Sequence, residues 1–487
     1  MNKYRKLLSN TVILGFGTFG SKLLVFCMVR FYTSCLNTEQ YGIADVITQT
    51  ANLLIPLLSV GIAEAVFRFA LDRETDKKAV FSTGFFTILA GGAVFGLLTP
   101  LLELVPFFRG YSLLVFSYTL FSCLHTLCMQ FIRAEGKMKL FAVHGILSTA
   151  LTILLNLLFL LVFQWGVVGY VLSVVLSDVF CTVSLFLSQK LYRLVSFRSL
   201  RSRFPRAMLK FSIPLIPTTV FWWMTNVADR YMVTWMIGSD ADGLYAVAYK
   251  IPTLLILLSG IFIEAWQFSA ISEKGDQEHA VFFGNVFNSF QALMFIAGAV
   301  LTALAKIAVQ VMAAEEYYPA WQYVPMLSVA TIFSSLVTFM GSVYLVEKKS
   351  VLSFLTSMTG ALLNLVLNLL LIPTFLAVNG AAIATFFSYF VVFIIRALNA
   401  QKYISFPMHP VKLTLNTAIV LVQAYWMITE SQGWIFVQIG AVLLVFGLNL
   451  HAILAGVGRI LDRKKRTAEG EPSPEEAGVD IPSPPEI

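Results

Sequence analysis

The chain has 487 residues, of which 58% are hydrophobic and only 13% are charged. A soluble domain has about half apolar and about a quarter charged residues, so this composition excludes a water-soluble protein and predicts an integral membrane protein. The formal net charge of +7 does not call for a nucleic-acid partner, because membrane proteins collect Lys and Arg at their cytoplasmic ends. The five cysteines form no C-x-x-C pair, so no metal site is expected.

Continuous apolar windows of about 20 residues predict about 14 transmembrane helices, and hence an all-α polytopic protein rather than a barrel of alternating strands. The first half contains six windows, at 10–30, 42–66, 80–104, 111–132, 141–163 and 168–189. The second half contains six more, at 211–235, 243–268, 282–311, 320–345, 351–373 and 378–399. Two final windows lie at 413–430 and 434–458. Pro56 and Pro252 interrupt the second and eighth windows, where they are expected to bend the helices.

The charges between these windows predict the orientation in the cell membrane. The intervals on one side contain 28 of the 34 Lys and Arg residues, and seven of them lie between Lys190 and Lys210. The intervals on the other side, which include 238–242, 315–318 and 430–433, contribute only Arg109. Because basic residues stay in the cytoplasm, this asymmetry places both termini there and supports an even number of spans.

The second half of the chain repeats the first. Residues 54–70 align with residues 254–270 at a constant offset of 200, and the alignment matches Glu64 with Glu264. Two six-span halves repeated in parallel are typical of transporters that bind their substrate between the halves. The predicted organisation is an N-terminal six-helix lobe (1–189), a basic cytoplasmic linker (190–210), a C-terminal six-helix lobe (211–400), two additional helices (401–461) and a disordered cytoplasmic tail rich in Pro and Glu (462–487).

Seven short segments, in this order, resemble the bacterial polysaccharide exporters. They are NTEQYGIADV (37–46), FRF (67–69), FIRAEGKMKLF (131–141), LKFSIPLIPTTVFW (209–222), DRYMV (229–233), GLYAVAYKIP (243–252) and NGAAIATFFSY (379–389). These exporters are lipid-linked oligosaccharide flippases of the multidrug/oligosaccharidyl-lipid/polysaccharide exporter superfamily. The resemblance covers about residues 1–460 and leaves only the tail outside.

The resemblance implies two six-helix lobes that form a V around a central cavity, followed by two extra helices. It implies a flippase, not an enzyme, that moves undecaprenyl-pyrophosphate-linked oligosaccharide to the outer leaflet for cell-surface polysaccharide biosynthesis. It further implies a cationic cavity, no bound cofactor, and coupling to an H+ or Na+ gradient. The implied partners are the lipid-linked oligosaccharide, membrane lipids, polysaccharide polymerase and glycosyltransferases.

Charged residues inside the spans are the candidate functional residues, because each costs about 2.5–3.5 kcal/mol even on permissive insertion scales. The predicted pyrophosphate contacts in the cavity are Lys22, Arg30, Arg68, Arg230 and Lys250. The predicted gating or ion-coupling residues are Asp45, Glu64, Asp178, Asp229 and Glu264.

Each of these groups also has a structural interpretation. Lys22 and Asp178 lie near mid-depth of their windows, so they could instead form a buried pair that locks helices of one lobe. The charges near the outer span ends, including Asp45 and Asp229, could pair at the interface or form an outer gate. His125 and His144 are isolated within spans, and hydrogen-bonded packing is favoured over metal binding for both.

Three alternatives to the polysaccharide flippase follow from the same residues. A cation-coupled multidrug exporter of the same fold would need a site of acidic and aromatic residues, whereas a pyrophosphate site needs cations. A lipid II flippase of peptidoglycan synthesis would share the pyrophosphate chemistry. A membrane enzyme is disfavoured, because no loop is longer than about 20 residues and no nucleophile or His/Asp cluster faces one side.

Overall fold

The computed structural model describes residues 28–71, 75–201, 204–272, 277–346, 349–374 and 376–468. Lys22 and most of the predicted first span lie outside these residues. Within them, all the regular structure is helical and no strand is present. The helices form two lobes and a C-terminal pair, in agreement with the predicted all-α class.

The first lobe comprises α1 (28–35), α2 (Thr38–Leu58), α3 (Ile62–Ala70), α4 (Lys77–Leu98), α5 (Ser112–Ala134), α6 (Met138–Asn156) and α7 (Gly166–Ser188). Helix α5 packs against α2, α3 and α7, and α6 packs against α7. Helices α4 and α6 keep most of their apolar side chains at least partly exposed on the surface of the lobe, which is the expected environment for residues that face lipid.

The second lobe comprises α9 (Ile216–Met236), α10 (Ser239–Lys250), α11 (Thr253–Ser272), α12 (Gln277–Ala303), α13 (Ala305–Met312), α14 (Val324–Val346), α15 (Ser350–Leu371) and α16 (Ala377–Ala400). Helix α14 lies at its centre, packed against α11, α12 and α16. Its core is rich in buried phenylalanines, among them Phe283, Phe287, Phe333 and Phe339.

The two C-terminal helices pack on the second lobe. Helices α17 (Pro410–Thr429) and α18 (Trp434–Ala468) both contact α12. Lys306 pairs with Glu430, and its ammonium lies 4.4 Å and 4.2 Å from the ring centres of Trp321 and Trp434. A cation held between two aromatic faces and a carboxylate fixes the connection between α17 and α18 to this lobe.

The described residues contain 11 helices that are long and apolar enough to cross a membrane, or up to 12 if the bent pair α2 and α3 is one span. The chain is therefore a multi-pass membrane protein. The predicted total of 14 also includes the first window, which lies mostly outside the described residues, and the window at 211–235. The latter corresponds to α9, which is not among the 11.

The two interrupted windows are broken next to their prolines. Helix α2 ends two residues after Pro56, and α3 leaves at an angle of 56°. The turn between them uses Gly61 at φ 62°, a left-handed conformation in which a side chain would be strained. The second break separates α10 from α11 at Ile251 and Pro252. Each proline removes a backbone N–H donor and so weakens the helix at its position.

Two boundaries differ from the sequence expectation. The linker predicted at 190–210 is partly helical, because α8 (Phe204–Ser212) lies within its end and crosses into the predicted second lobe. A 3-10 turn at Ile213–Leu215, which contains Pro214, then separates α8 from α9. The tail predicted to be disordered from residue 462 begins as helix, since α18 continues to Ala468; residues 469–487 lie outside the described part of the chain.

Candidate functional site

The two lobes meet where α2 of the first packs along α10 of the second. Gly42 and Gly243 allow this approach. A Cβ atom on Gly42 would lie 2.0 Å from the carbonyl oxygen of Ser239, and one on Gly243 would lie 2.0 Å from that of Thr38. Small residues that bring helix backbones together are typical of tight contacts in membranes.

Polar contacts seal the same end of the interface. The guanidinium of Arg30 donates hydrogen bonds to the carbonyl oxygens of Gln310, at 2.9 Å, and Ala313. The hydroxyl of Thr38 donates to Asp240 at 2.7 Å. This end carries the connections at 238 and 315–322, which the charge distribution predicts to be outside.

Tyr317 adds a further bond between the lobes at this end. Its hydroxyl donates to the carbonyl oxygen of Leu36 at 2.9 Å. Burial raises the pKa of Tyr317 well above its ordinary value, so the phenol keeps the proton that it donates. The seal is therefore made of hydrogen bonds and close helix packing.

A buried ion pair lies behind this seal. Asp45, on α2, accepts a hydrogen bond from the guanidinium of Arg230, on α9, and both side chains are buried. Arg230 also lies against the ring of Tyr249, 5.1 Å from its centre. Since the two residues belong to different lobes, separation of the lobes must break this pair and expose both charges to solvent or substrate.

Asp229 lies next to Arg230 in sequence but has a different environment within the second lobe. Its carboxylate accepts hydrogen bonds from the hydroxyls of Tyr245 at 2.6 Å and Thr385 at 3.3 Å, and from the backbone N–H of Arg230 at 3.0 Å. Two buried amides continue this network: Asn364 donates to Thr385, and Asn368 donates to Asn364. Asp229 is therefore a fully buried carboxylate surrounded by neutral oxygen and nitrogen groups.

Lys250 is a partly buried cation at the end of α10. Asp45 and Arg230 are its charged neighbours, yet no carboxylate of the described residues lies within the 4 Å of an ion pair. Arg230 is already occupied by Asp45. Of the predicted cavity cations that the structure describes, Arg30 and Arg68 are exposed and Arg230 is paired, whereas Lys250 is partly buried with no carboxylate of the described residues at ion-pair distance.

Asp242 is a functional candidate that the sequence interpretation does not include, because the charge pattern places residues 238–242 in an outer loop. It lies in the first turn of α10 and is 0% exposed. Neither of its carboxylate oxygens has a hydrogen-bond partner among the described residues. The signal that was available in the sequence is its i, i+3 spacing to Tyr245, which places it on the buried face of the helix.

Asp178 lies in the core of the first lobe. Its carboxylate contacts the imidazole Nδ1 of His125 at 2.7 Å and accepts a hydrogen bond from the hydroxyl of Ser122. His125 is thus hydrogen-bonded within the first lobe, and its partner is a carboxylate. The predicted partner Lys22 lies outside the described residues, and both oxygens of Asp178 have a partner without it.

The predicted residues at the inner ends lie away from this interface. Glu64 and Arg68 are exposed on α3. Glu264 lies within α11, but its side chain lies outside the described part of the structure. Among the described residues, no group of three or more His, Cys, Asp or Glu side chains is placed to hold a metal ion.

Two helical lobes, joined by a breakable polar layer with buried charges behind it, define a polytopic membrane transporter. Residues 7–267 match the family described as polysaccharide biosynthesis protein, and the chain belongs to this family. No curated protein sequence matches the chain.

Solved structures have the same fold. The lipid II flippase MurJ in an inward closed conformation is 14% identical, with a TM-score of 0.63 over 92% of this chain and 99% of that one. An inward-facing multidrug resistance MATE family transporter is 15% identical, with a TM-score of 0.64 over 79% and 94%. A Pyrococcus furiosus transporter, reported with reversed polarity of its binding pocket, is 14% identical, with a TM-score of 0.58 over 81% and 94%. The fold is that of the multidrug/oligosaccharidyl-lipid/polysaccharide superfamily.

Proposed function

We propose that this protein moves undecaprenyl-pyrophosphate-linked oligosaccharide from the inner to the outer leaflet of the cytoplasmic membrane, for cell-surface polysaccharide biosynthesis. It does so by alternating access, with the lobes separating at one end while they close at the other. Membership of the polysaccharide biosynthesis family supports the substrate class. The closed polar seal between α2 and α10 supports one end state of the cycle.

The observation that carries the proposal is Lys250, a partly buried cation near the contact between the lobes with which no carboxylate of the described residues forms an ion pair. A pyrophosphate has at least two negative charges, and its transfer into a low-dielectric interior is prohibitive without compensating cations. Lys250 supplies one such charge. Separation of Asp45 from Arg230 would supply a second, because that guanidinium lies within the same group of charges.

The proposal includes ion coupling and partner proteins. A gradient of H+ or Na+ would drive the cycle, and the buried carboxylate of Asp229 with its oxygen neighbours supports a coupling role for this residue. Glycosyltransferases would supply the lipid-linked oligosaccharide, and a polymerase in the outer leaflet would consume it.

The test is complementation of a strain that lacks its surface-polysaccharide flippase. Lys250→Ala should abolish complementation while the amount of protein in the membrane stays near normal, and lipid-linked oligosaccharide should accumulate in the cells. Lys250→Arg should retain part of the activity, because a loosely held diphosphate responds to charge more than to shape. Lys402→Ala is the matched control, since Lys402 is exposed and outside the interface.

Wild-type complementation by Lys250→Ala would contradict the cationic-site proposal. Two further outcomes would assign another substrate. Rescue of cells depleted of their lipid II flippase, without rescue of surface polysaccharide, would indicate peptidoglycan synthesis. Increased resistance to cationic drugs, abolished by Asp229→Asn and not by Lys250→Ala, would indicate a multidrug exporter.

A further inference from the structure

Among the residues that the structure describes, the charged groups near the contact between the lobes do not balance. Three are carboxylates, those of Asp45, Asp229 and Asp242, and two are cations, Arg230 and Lys250. Asp45 has the guanidinium of Arg230, and Asp229 accepts three hydrogen bonds. Among the described residues, Asp242 is therefore the carboxylate whose negative charge has no compensating group.

Nothing in the described structure compensates an ionised Asp242. The side chain is 0% exposed, and no backbone N–H of α10 reaches its oxygens although it lies in the first turn. The hydroxyl of Thr234 is a polar neighbour, and it too has no hydrogen-bond partner among the described residues. An isolated buried carboxylate is so costly that such a group takes up a proton instead.

The groups that face Asp242 come from both lobes. Helix α2 of the first lobe contributes Asp45 and Tyr41, and α9 of the second contributes Asp229, Arg230 and Tyr231. In the adjoining 3-10 segment, Glu316 contacts Thr38 and Tyr317 contacts Leu36, rather than Asp242. Of these charged groups, Asp45 across the interface interacts most strongly with Asp242.

We propose that Asp242 is a proton-binding site that holds the outer seal closed. With a proton on Asp242 the five charged groups are balanced, and its hydroxyl can donate to Thr234. Without the proton, the carboxylate repels Asp45 of the opposite lobe, and separation of α2 from α10 relieves this repulsion by admitting water. The inference rests on the proposed function, which requires alternating access. It adds that the coupling ion is a proton and that Asp242 binds it.

A proton fits this site better than a metal cation. A metal ion needs several oxygen ligands at short distance, and among the described residues no group of three or more His, Cys, Asp or Glu side chains is placed to hold one. A proton needs one carboxylate oxygen. The direction is also consistent with an exporter, because a proton that enters from the outside closes the outer end after the substrate has left, and so resets the transporter.

The experiment measures the outer opening directly, without any glycan substrate. Spin labels are placed on Leu113→Cys and Val311→Cys, which are exposed residues of opposite lobes at the sealed end, in the full chain with its five native cysteines replaced. Distances are measured by pulsed electron paramagnetic resonance in lipid nanodiscs between pH 5.5 and pH 9. As one proton is released, the ratio of open to closed populations should rise by up to about tenfold per pH unit.

Variants identify the residue responsible. Asp242→Asn, which has the shape of the protonated acid, should stay closed throughout the pH range. Asp242→Glu should retain the transition with a shifted midpoint. Glu315→Gln removes an exposed acid on the same side and should behave like the wild type.

Three outcomes would overturn the inference: a wild-type distance that does not change with pH, the same transition in Asp242→Asn, or an opening that responds to Na+ at constant pH. If Asp242→Asn does not fold, the wild-type titration and Asp242→Glu still decide the matter. The spin-label distances are measured without substrate, whereas the substrate proposal is tested by complementation, so failure of the substrate proposal and failure of the proton site are distinguishable.

Discussion

Gly42 and Gly243 occupy reciprocal positions in the contact between the lobes. Gly42 lies against the carbonyl group of Ser239, four residues before Gly243, while Gly243 lies against that of Thr38, four residues before Gly42. Such reciprocity is the mark of a twofold relationship between the contacting surfaces. It agrees with the duplication found in the sequence, and it shows that the two copies use corresponding helices to close one end of the transporter.

A methyl group at either glycine should hold the outer end open. In Gly42→Ala or Gly243→Ala the new Cβ would overlap a backbone oxygen of the opposite helix, and overpacking costs about 1–3 kcal/mol. We expect the closed population to fall by about fivefold or more, as measured by the spin-label distances at pH 5.5. Gly440→Ala is the control, because a Cβ there meets nothing within 4 Å. Unchanged distances in both variants would show that α2 and α10 are farther apart than described.

The buried pair of Asp45 and Arg230 should be more sensitive to loss of one member than to exchange of both. Asp45→Ala leaves a buried guanidinium without a partner, which costs about 3–5 kcal/mol. The closed state should therefore be depleted and the melting temperature should fall. The exchange Asp45→Arg with Arg230→Asp should recover part of the loss, whereas full stability of Asp45→Ala alone would mean that the pair does not hold the lobes together.

Within the first lobe, His125 rather than Lys22 should support Asp178. His125→Ala removes a hydrogen bond to a buried carboxylate, for which we expect a loss of about 1.5–3 kcal/mol in the free energy of unfolding. Lys22→Ala should reduce transport without this loss, because both oxygens of Asp178 have other partners. Thermal denaturation in detergent distinguishes the two variants.

The opposite result for this lobe would support a structural pair between Lys22 and Asp178. In that case Lys22→Ala would lower expression and stability, and the double variant Lys22→Ala/Asp178→Ala would restore expression and transport. Recovery of transport in the double variant would exclude the phosphate role predicted for Lys22.

The orientation in the membrane is tested by labelling exposed positions at the two ends. Glu315→Cys should react with a membrane-impermeant maleimide on intact cells, whereas Arg198→Cys should react only after the cells are opened. Both side chains are exposed, so accessibility within the fold does not limit the reaction. Reaction of Arg198→Cys from outside would reverse the topology predicted from the loop charges.

Much of this architecture follows from the sequence by itself. Long apolar runs predict membrane-spanning helices because every backbone polar group in lipid must be satisfied within its own segment. Pro56 and Pro252 indicate where two spans break, for the equally local reason that proline lacks the N–H donor. The duplication and the resemblance to polysaccharide exporters are also read residue by residue, and the family match and the fold agree with the resemblance.

The tertiary structure decides which charges meet. Asp45 and Arg230 are 185 residues apart in the chain, and no local pattern pairs them rather than Asp45 with Arg30 or Lys250. Asp178 pairs with His125 because α5 and α7 are adjacent and rotated to face each other. Asp242 carries a loop-like sequence context, yet the contact between α2 and α10 buries it completely. The cost of a buried charge depends on the groups packed around it from distant parts of the chain, and their arrangement exists only in the folded protein.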